Sequence, residues 1–251
     1  MEFSERVEMI LQGLREQGRV TVTALARQSG CSEMTIRRDL AHLERDGLLR
    51  RVHGGAVSTL AGEAIPFGTR SHQHLDAKRR IATAAAGLLD DGETLVLDSG
   101  TTTLELATLL ADRPVTVLPL SLHAAWALAG GGRARLVLPG GDLRPGELTM
   151  VGPLAEQALD RLRVDTFVLS CCGITTADGV TAYDLAEAQV KRAALTAARR
   201  VIAVTDSSKF GRTAFGRVCP VDTVHTLVTD TDAPQDEITR LRDAGVEVHL
   251  V

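Results

Sequence analysis

Residues 32–57 read SEMTIRRDLAHLERDGLLRRVHGGAV. Ser32 stands where a helix N-cap belongs. Ile36, Leu40 and Leu43 recur at i, i+4 and i+7, which predicts a helix running to about Asp46 and ended by Gly47. Upstream, Val7, Ile10, Leu11 and Leu14 form one apolar face of a first helix that Gly18 closes. A short extended RVTV follows, and residues 23–28 carry a brief second helix broken at Gly30. Two short helices joined by Ser-Gly-Cys, the second capped by Ser32, form the layout of a helix-turn-helix. On that second helix the apolar residues turn inward and leave Thr35, Arg37 and Arg38 outward in its N-terminal half, the part that enters the major groove in this motif. Arg can donate two hydrogen bonds to guanine, and Thr can touch a thymine methyl or a phosphate. Arg50, Arg51 and His53 then lie in an extended stretch ending at Gly54 and Gly55, the pattern of a basic hairpin wing placed for phosphate or minor-groove contact. Taken alone, Arg37-Arg38 reads as readily as a solvated helix face; the ordered series of helix, capped helix, Gly stop and basic wing favours double-stranded DNA.

The whole chain, 251 residues with 28 Lys+Arg against 32 Asp+Glu, carries a formal charge of -4, which by itself argues against a polyanion partner. The charge is unevenly divided. Residues 1–55 carry a net +1 and residues 56–251 a net -5, and five arginines fall between Arg37 and Arg51. With 44% hydrophobic and 24% charged residues the chain builds a core. No stretch is apolar enough to span a membrane, and the charged, amphipathic start lacks the centre of a signal peptide, so a cytoplasmic protein is expected. Aromatic residues make up 3%, which disfavours stacking platforms for single strands or sugar rings. The four Cys have no CxxC spacing and His72 and His74 have no carboxylate or thiol cluster beside them, so neither a metal nor a cofactor is expected.

Residues 58–75 lack a sustained period and read as a linker between a DNA-binding segment at 1–57 and a larger one at 76–251. In the latter, apolar runs of four to six residues (ETLVLD, PVTVLPL, ARLVLPGG, VDTFVLS, RVIAVTD, TVHTLVTD, VEVHLV) alternate with helical segments. That is the signature of an α/β domain with a mostly parallel open sheet, in which ligands bind at the carboxyl ends of the strands. Several strand ends are polar. In LVLDSGTTTLELA a buried strand ends at Asp98, Ser99 and Gly100 turn the chain, and Thr101, Thr102 and Thr103 open a helix, offering an anion free N–H groups and hydroxyls. An ordinary Thr cap is the competing reading. The stretch is neither a Walker A loop nor a GxGxxG. Gly140 and Gly141, Gly173, Asp206 and Lys209 occupy other strand ends, Lys209 suited to a phosphate and Asp206 to sugar hydroxyls. Glu187 and Lys191, four apart on a helix, fit either a surface ion pair or a pocket.

These residues resemble two halves of one family. Ser32, Thr35–Leu40, Leu43, Glu44, Gly47, Arg51 and His53–Ala56 follow the DNA-binding signature of the DeoR family of bacterial transcription regulators. Asp98 with Gly100–Thr102, Gly140-Gly141 with Arg144, Val151–Pro153, Gly173-Ile174, Glu187 with Lys191-Arg192, and Asp206–Gly211 resemble its sensor domain. The resemblance implies a winged helix-turn-helix joined to a domain similar in fold to ribose-5-phosphate isomerase. It further implies a repressor of sugar-metabolism genes that senses a phosphorylated sugar or related metabolite. Because one helix-turn-helix makes few base contacts, a homodimer or homotetramer reading two half-sites is expected. Pro119-Leu120 and Cys172 depart from the usual pattern at the pocket. A sugar-phosphate isomerase with an accessory DNA-binding segment is the alternative, with Asp98 or Asp206 as its base.

Overall fold

The computed structural model describes residues 3–17, 19–45, 49–52, 54–58, 67–130 and 132–251. Gly18, Asp46, Gly47, His53 and residues 59–66 of the stretch read as a linker, Pro66 included, lie outside the described residues. The chain forms two compact units, Met1–Thr69 and Arg70–Val251.

In the first unit, α1 (Phe3–Gln17) is followed by β1 (Arg19–Thr21), α2 (Val22–Ser29), α3 (Glu33–Arg45), β2 (Leu49–Val52) and β3 (Gly55–Ser58). The predicted apolar faces meet: Ile10, Leu14, Leu25, Ile36, Leu40 and Leu43 are buried together with Val20, Leu49 and Ala56. Capping sets the turn between α2 and α3. Thr21 accepts from the Ala24 amide, Gly30 takes the left-handed conformation (φ 69°) that ends α2, and the Ser32 hydroxyl accepts from the Thr35 amide at 3.1 Å. The three strands pair in the order β1-β3-β2, all antiparallel, which makes the wing. Gly55 is required there, since a Cβ would lie 2.0 Å from the Val20 carbonyl oxygen. Asp39 is buried and receives both Nε (2.7 Å) and Nη2 (3.2 Å) of Arg6, a bidentate clamp that fixes α1 on α3.

A short helix, α4 (Phe67–His72), falls within the stretch read as linker. The second unit continues with α5 (Leu75–Gly87), β4 (Thr94–Leu97), α6 (Thr101–Leu110), β5 (Thr116–Pro119), α7 (Leu122–Ala129), β6 (Arg135–Leu136), β7 (Asp142–Arg144), β8 (Thr149–Val151), α8 (Pro153–Asp160), β9 (Val164–Ser170), β10 (Gly173–Thr175), β11 (Gly179–Ala182), α9 (Leu185–Ala197), β12 (Ala198–Val204), β13 (Gly216–Cys219), β14 (Thr226–Thr229), α10 (Gln235–Asp243) and β15 (Glu247–Leu250). Seven strands form one parallel sheet in the order β15-β14-β12-β9-β4-β5-β6. Successive residues point to opposite faces. Leu95, Leu97, Val168, Ile202 and Val204 pack under α5, α6 and α7, while Val96, Phe167, Leu169, Val201 and Ala203 pack against α8, α9 and α10. The run ARLVLPGG gives only the two-residue edge strand β6. From the adjacent pair β4 and β9 the chain winds outward in both directions, through β5 and β6 on one side and β12, β14 and β15 on the other. The crevice at the carboxyl ends of β4 and β9 is therefore the topological switch point, where an open α/β sheet receives its ligand.

Candidate functional site

On the first unit, α3 turns Thr35 partly and Arg37, Arg38 and Met34 well into solvent, with Ser32 at its start. Arg37 is restrained by Glu33 one turn earlier (3.2 Å), and the Thr23 hydroxyl donates to the other Glu33 oxygen at 2.9 Å; these hydrogen bonds, from Thr23 first and Arg37 next, hold the Glu33 carboxyl below the usual carboxylate range. Glu44 accepts from the Arg51 amide at 2.8 Å and approaches its guanidinium, tying the end of α3 to the wing. Arg50 sits on β2 opposite Val57.

The second unit gathers its polar strand ends at the switch point. Asp98, fully buried, follows β4. Its Oδ1 accepts from the Ser99 amide (2.8 Å), and its Oδ2 accepts from the Ser170 amide (2.8 Å), the Ser170 hydroxyl (2.9 Å) and Lys191 Nζ (2.7 Å). Lys191 comes up from α9 and donates also to the Ser170 carbonyl at 3.1 Å. Burial alone would lower its pKa, but the Asp98 carboxylate bonded to it, with Glu187, more than offsets that and raises it, so Lys191 is a fixed cation. Glu187 and Lys191 are thus not a surface pair: both are buried, and each has another partner, since Glu187 accepts from Arg144 at 3.2 Å. Burial pushes the Glu187 carboxyl up, against the pull of Lys191 and Arg144.

The turn at Ser99 and Gly100 leads into α6, whose Gly100 N-cap supplies no side-chain cap. The first amides of the helix therefore lack intrahelical acceptors. Thr103 spends its hydroxyl on the Gly100 carbonyl (3.0 Å), whereas Thr101 and Thr102 are buried with hydroxyls that bond no described residue. Gly100 is there for closeness, because a Cβ would lie 3.0 Å from the Ser170 Cβ. Asp206, buried at the end of β12, caps a short turn by accepting from the Ser208 amide at 3.0 Å. Burial would raise its carboxyl, but Lys209, Ser208 and Lys78 outweigh burial and hold it low. The Lys209 ammonium is half-buried, and burial lowers its pKa against the attraction of Asp206.

The other expected residues are glycines. Gly140 and Gly141 lie in the turn before β7, where Gly141 packs against the Val151 carbonyl and Ala155. It is Arg144 of the same hairpin that reaches the site, contacting Glu187 and, at 3.4 Å, Asp184. Gly173 serves close packing, since a Cβ would meet the Arg212 carbonyl oxygen at 2.3 Å. Leu120, a departure from the family pattern, is fully buried in the core. Burial raises the thiol pKa of Cys171, Cys172 and Cys219, the last to about 11, which keeps them protonated and unreactive. Among the described residues no group of three or more His, Cys, Asp or Glu could hold a metal, and no helix is long and apolar enough to cross a membrane.

The DeoR-like helix-turn-helix domain matches residues 6–60, and the DeoR C terminal sensor domain matches residues 73–231. The chain belongs to the DeoR family. It is 37% identical over 252 residues to a protein of Escherichia coli O157:H7 named for repression of the aga operon, covering 99% of this chain and 94% of that one. It is 34% identical to the L-fucose operon activator of Haemophilus influenzae (92% and 93% covered) and 30% identical to the glycerol-3-phosphate regulon repressor of Escherichia coli K12 over the full length of both. Among solved structures, ribose 5-phosphate isomerase A of Methanocaldococcus jannaschii aligns at 17% identity over 55% of each chain with a TM-score of 0.42, too remote to bear on activity.

Within this DeoR-family sensor, three contributors escaped the sequence reading. Ser170 ends an apolar run in a hydroxyl, the same signal that marked Asp98. Lys78 is buried on the apolar face of α5 with Ile81, Ala82 and Ala85, at i, i+3, i+4 and i+7, a spacing that the run Lys78-Arg79-Arg80 disguises as a solvated charge cluster. Arg70, ion-paired with Glu147, carries no pattern of its own.

Proposed function

We propose that this DeoR-family chain is a sequence-specific DNA-binding transcription regulator, a repressor of sugar-metabolism genes, whose operator affinity is set by a phosphorylated sugar or related metabolite. The observation that carries the reading is the separation of two charge-bearing sites in one chain: exposed arginines on a capped helix, and buried cations around an uncapped helix start at a sheet's switch point. In this reading Thr35, Arg37 and Arg38 contact base edges. Ser32, Arg50, Arg51 and His53 contact the backbone. The effector's phosphate takes the unbonded groups of the Ser99–Thr103 turn, the Thr101 and Thr102 hydroxyls and the first amides of α6, together with Lys209, and its hydroxyls face Asp206 and the stretches at Gly140, Gly141 and Gly173. Asp98, Lys191 and Glu187 hold that floor in place. The protein works in the cytoplasm as a homodimer or homotetramer, because one helix-turn-helix makes few base contacts and two half-sites lie about 34 Å apart along the duplex.

It is no isomerase in this reading: both Asp98 oxygens already accept hydrogen bonds, and Asp206, the other candidate base, is held despite its burial below the usual carboxylate range by Lys209, Ser208 and Lys78, away from the neutral range a general base needs. A gel shift on the upstream region of the protein's own gene tests the DNA half. Arg37→Ala and Arg38→Ala should each weaken specific binding by about 1–3 kcal/mol, and unchanged affinity in both would remove α3 from the interface.

A further inference from the structure

Arg70 opens the second unit and lies in α4, the helix through which the chain passes from one unit to the other. It is held twice. Its guanidinium donates to Glu147 Oε2, with both side chains largely buried, and its carbonyl accepts from Lys78 Nζ, which also donates to the Gln73 carbonyl at 2.6 Å. Glu147 stands in the turn between β7 and β8. At the other end of that turn Arg144 is bonded to Glu187 and Asp184 beside the Asp98–Lys191 floor. One short turn therefore grips α4 with an acid and the effector site with a base.

Two further observations converge on this grip. Among the described residues, only two that are not glycine adopt the left-handed backbone: His74 (φ 52°), next to the Gln73 carbonyl that Lys78 holds, and Leu148 (φ 51°), next to Glu147. Strain of that kind persists where surrounding contacts impose it and is released when they break. The surroundings are also rich in cations. Lys78, bonded to the Arg70 carbonyl, lies within electrostatic reach of Lys209, Arg70, Asp206 and Glu105, and Lys209 within reach of Arg70, Arg212 and Asp206; burial, with the repulsion of these neighbouring cations, holds both ammonium groups below their usual range. A dianion entering there is stabilised by all of them.

We infer that Arg70 is an anion ligand of the effector site whose resting partner is Glu147, and that a phosphorylated effector takes the guanidinium from Glu147 and frees α4 from the β7–β8 turn. The inference rests on the effector-site reading above and supplies its regulation: α4 is the covalent lead to the DNA-binding unit, so the ligand's gain of Arg70 is the lead's loss of an anchor.

The test uses the full chain and inorganic phosphate, by calorimetry, with sodium chloride at matched ionic strength as the control. Glu147→Gln, nearly isosteric, removes the competing charge and should bind phosphate at least threefold more tightly than wild type. Arg70→Lys should lose about tenfold by giving up the two-toothed guanidinium contact. Adding Glu147→Gln to Arg70→Lys should then give a smaller gain than in wild type. Hydrogen exchange of the amides from 67 to 74 should quicken when phosphate is added. Phosphate binding that is indifferent to Glu147→Gln, or exchange at 67–74 that phosphate leaves unchanged, overturns the inference and leaves the effector site standing. Absence of phosphate binding to wild type overturns both.

Discussion

Two ion pairs of similar length show how differently the units of this protein use charge. Glu33 and Arg37 meet at 3.2 Å on α3 with about half of each side chain exposed, whereas Asp98 and Lys191 meet at 2.7 Å with 0% and 2% exposed. In water the first pair is weakly bound and can be traded for a phosphate or a base edge at small cost. The second cannot be parted without leaving a bare charge in the core. A surface that reads a large, rigid duplex keeps its charges available; the second unit sets them into a fixed floor, and on the function proposed above only selected groups, such as Lys209 and the amides of α6, are left for a ligand. Adaptability sits in the first unit and preorganisation in the second.

The sharpest way to break that contrast is Lys191→Met. It strands the Asp98 carboxylate with only the two amides and the Ser170 hydroxyl, and should destabilise the second unit by about 3–5 kcal/mol. Hydrogen exchange of the β4 and β9 amides, which belong to that unit, reports the loss directly when urea is raised. Combining Lys191→Met with Asp98→Asn should recover a substantial part of the stability. A single variant as stable as wild type would show that the pair is not the floor of the site.

Lys78 offers a smaller effect with a sign fixed by its environment. Burial depresses its pKa to about 8, against 10.5 for the free side chain. Between those values the unfolded chain holds a proton that the folded chain has given up, so this group makes the protein more stable as pH rises from about 8 to 10.5. Lys78→Met loses that contribution, and its deficit in melting temperature relative to wild type should therefore widen from pH 7.5 to pH 9.5. A deficit constant across that range would place Lys78 in solvent with an ordinary pKa.

The same contrast governs what could be read from the sequence. In the first unit, function follows helical period: once Ile36, Leu40 and Leu43 face the core, Arg37 and Arg38 must face out, and Ser32 must cap. Even there Asp39, which the periodicity leaves polar and unexplained, turns out to be the buried end of the Arg6 clamp, a partner 33 residues away that no local pattern reveals. In the second unit, strand ends were legible because an apolar run that stops at Asp98 or Asp206 announces the edge of a parallel sheet. Which ends lie side by side was not legible, since that depends on strand order. Asp98 meets Ser170 only because β9 pairs with β4, 72 residues later. Arg144 stood in the same motif as Gly140 and Gly141, but its partners Asp184 and Glu187, the latter 43 residues on, depend on the fold as Ser170 does.

The smallest effect expected is also the one that isolates the first unit's strategy. Glu33 holds Arg37 at the entrance of the recognition helix and places a carboxylate where phosphates would approach. Glu33→Gln keeps the hydrogen-bonding shape toward Thr23 but removes the charge. Since the pair is exposed, the melting temperature should not move measurably. Binding to DNA should change instead. Loss of a repelled carboxylate should raise affinity for non-operator duplex by a few-fold and lower the ratio of specific to non-specific binding, with the difference fading as salt is raised. Gel shifts on operator and scrambled duplex at two salt concentrations separate these outcomes. An equal gain on both sequences that persists at high salt would mean that Glu33 restrains Arg37 by geometry rather than by charge, and a drop in stability would mean that the exposed pair is part of the fold after all.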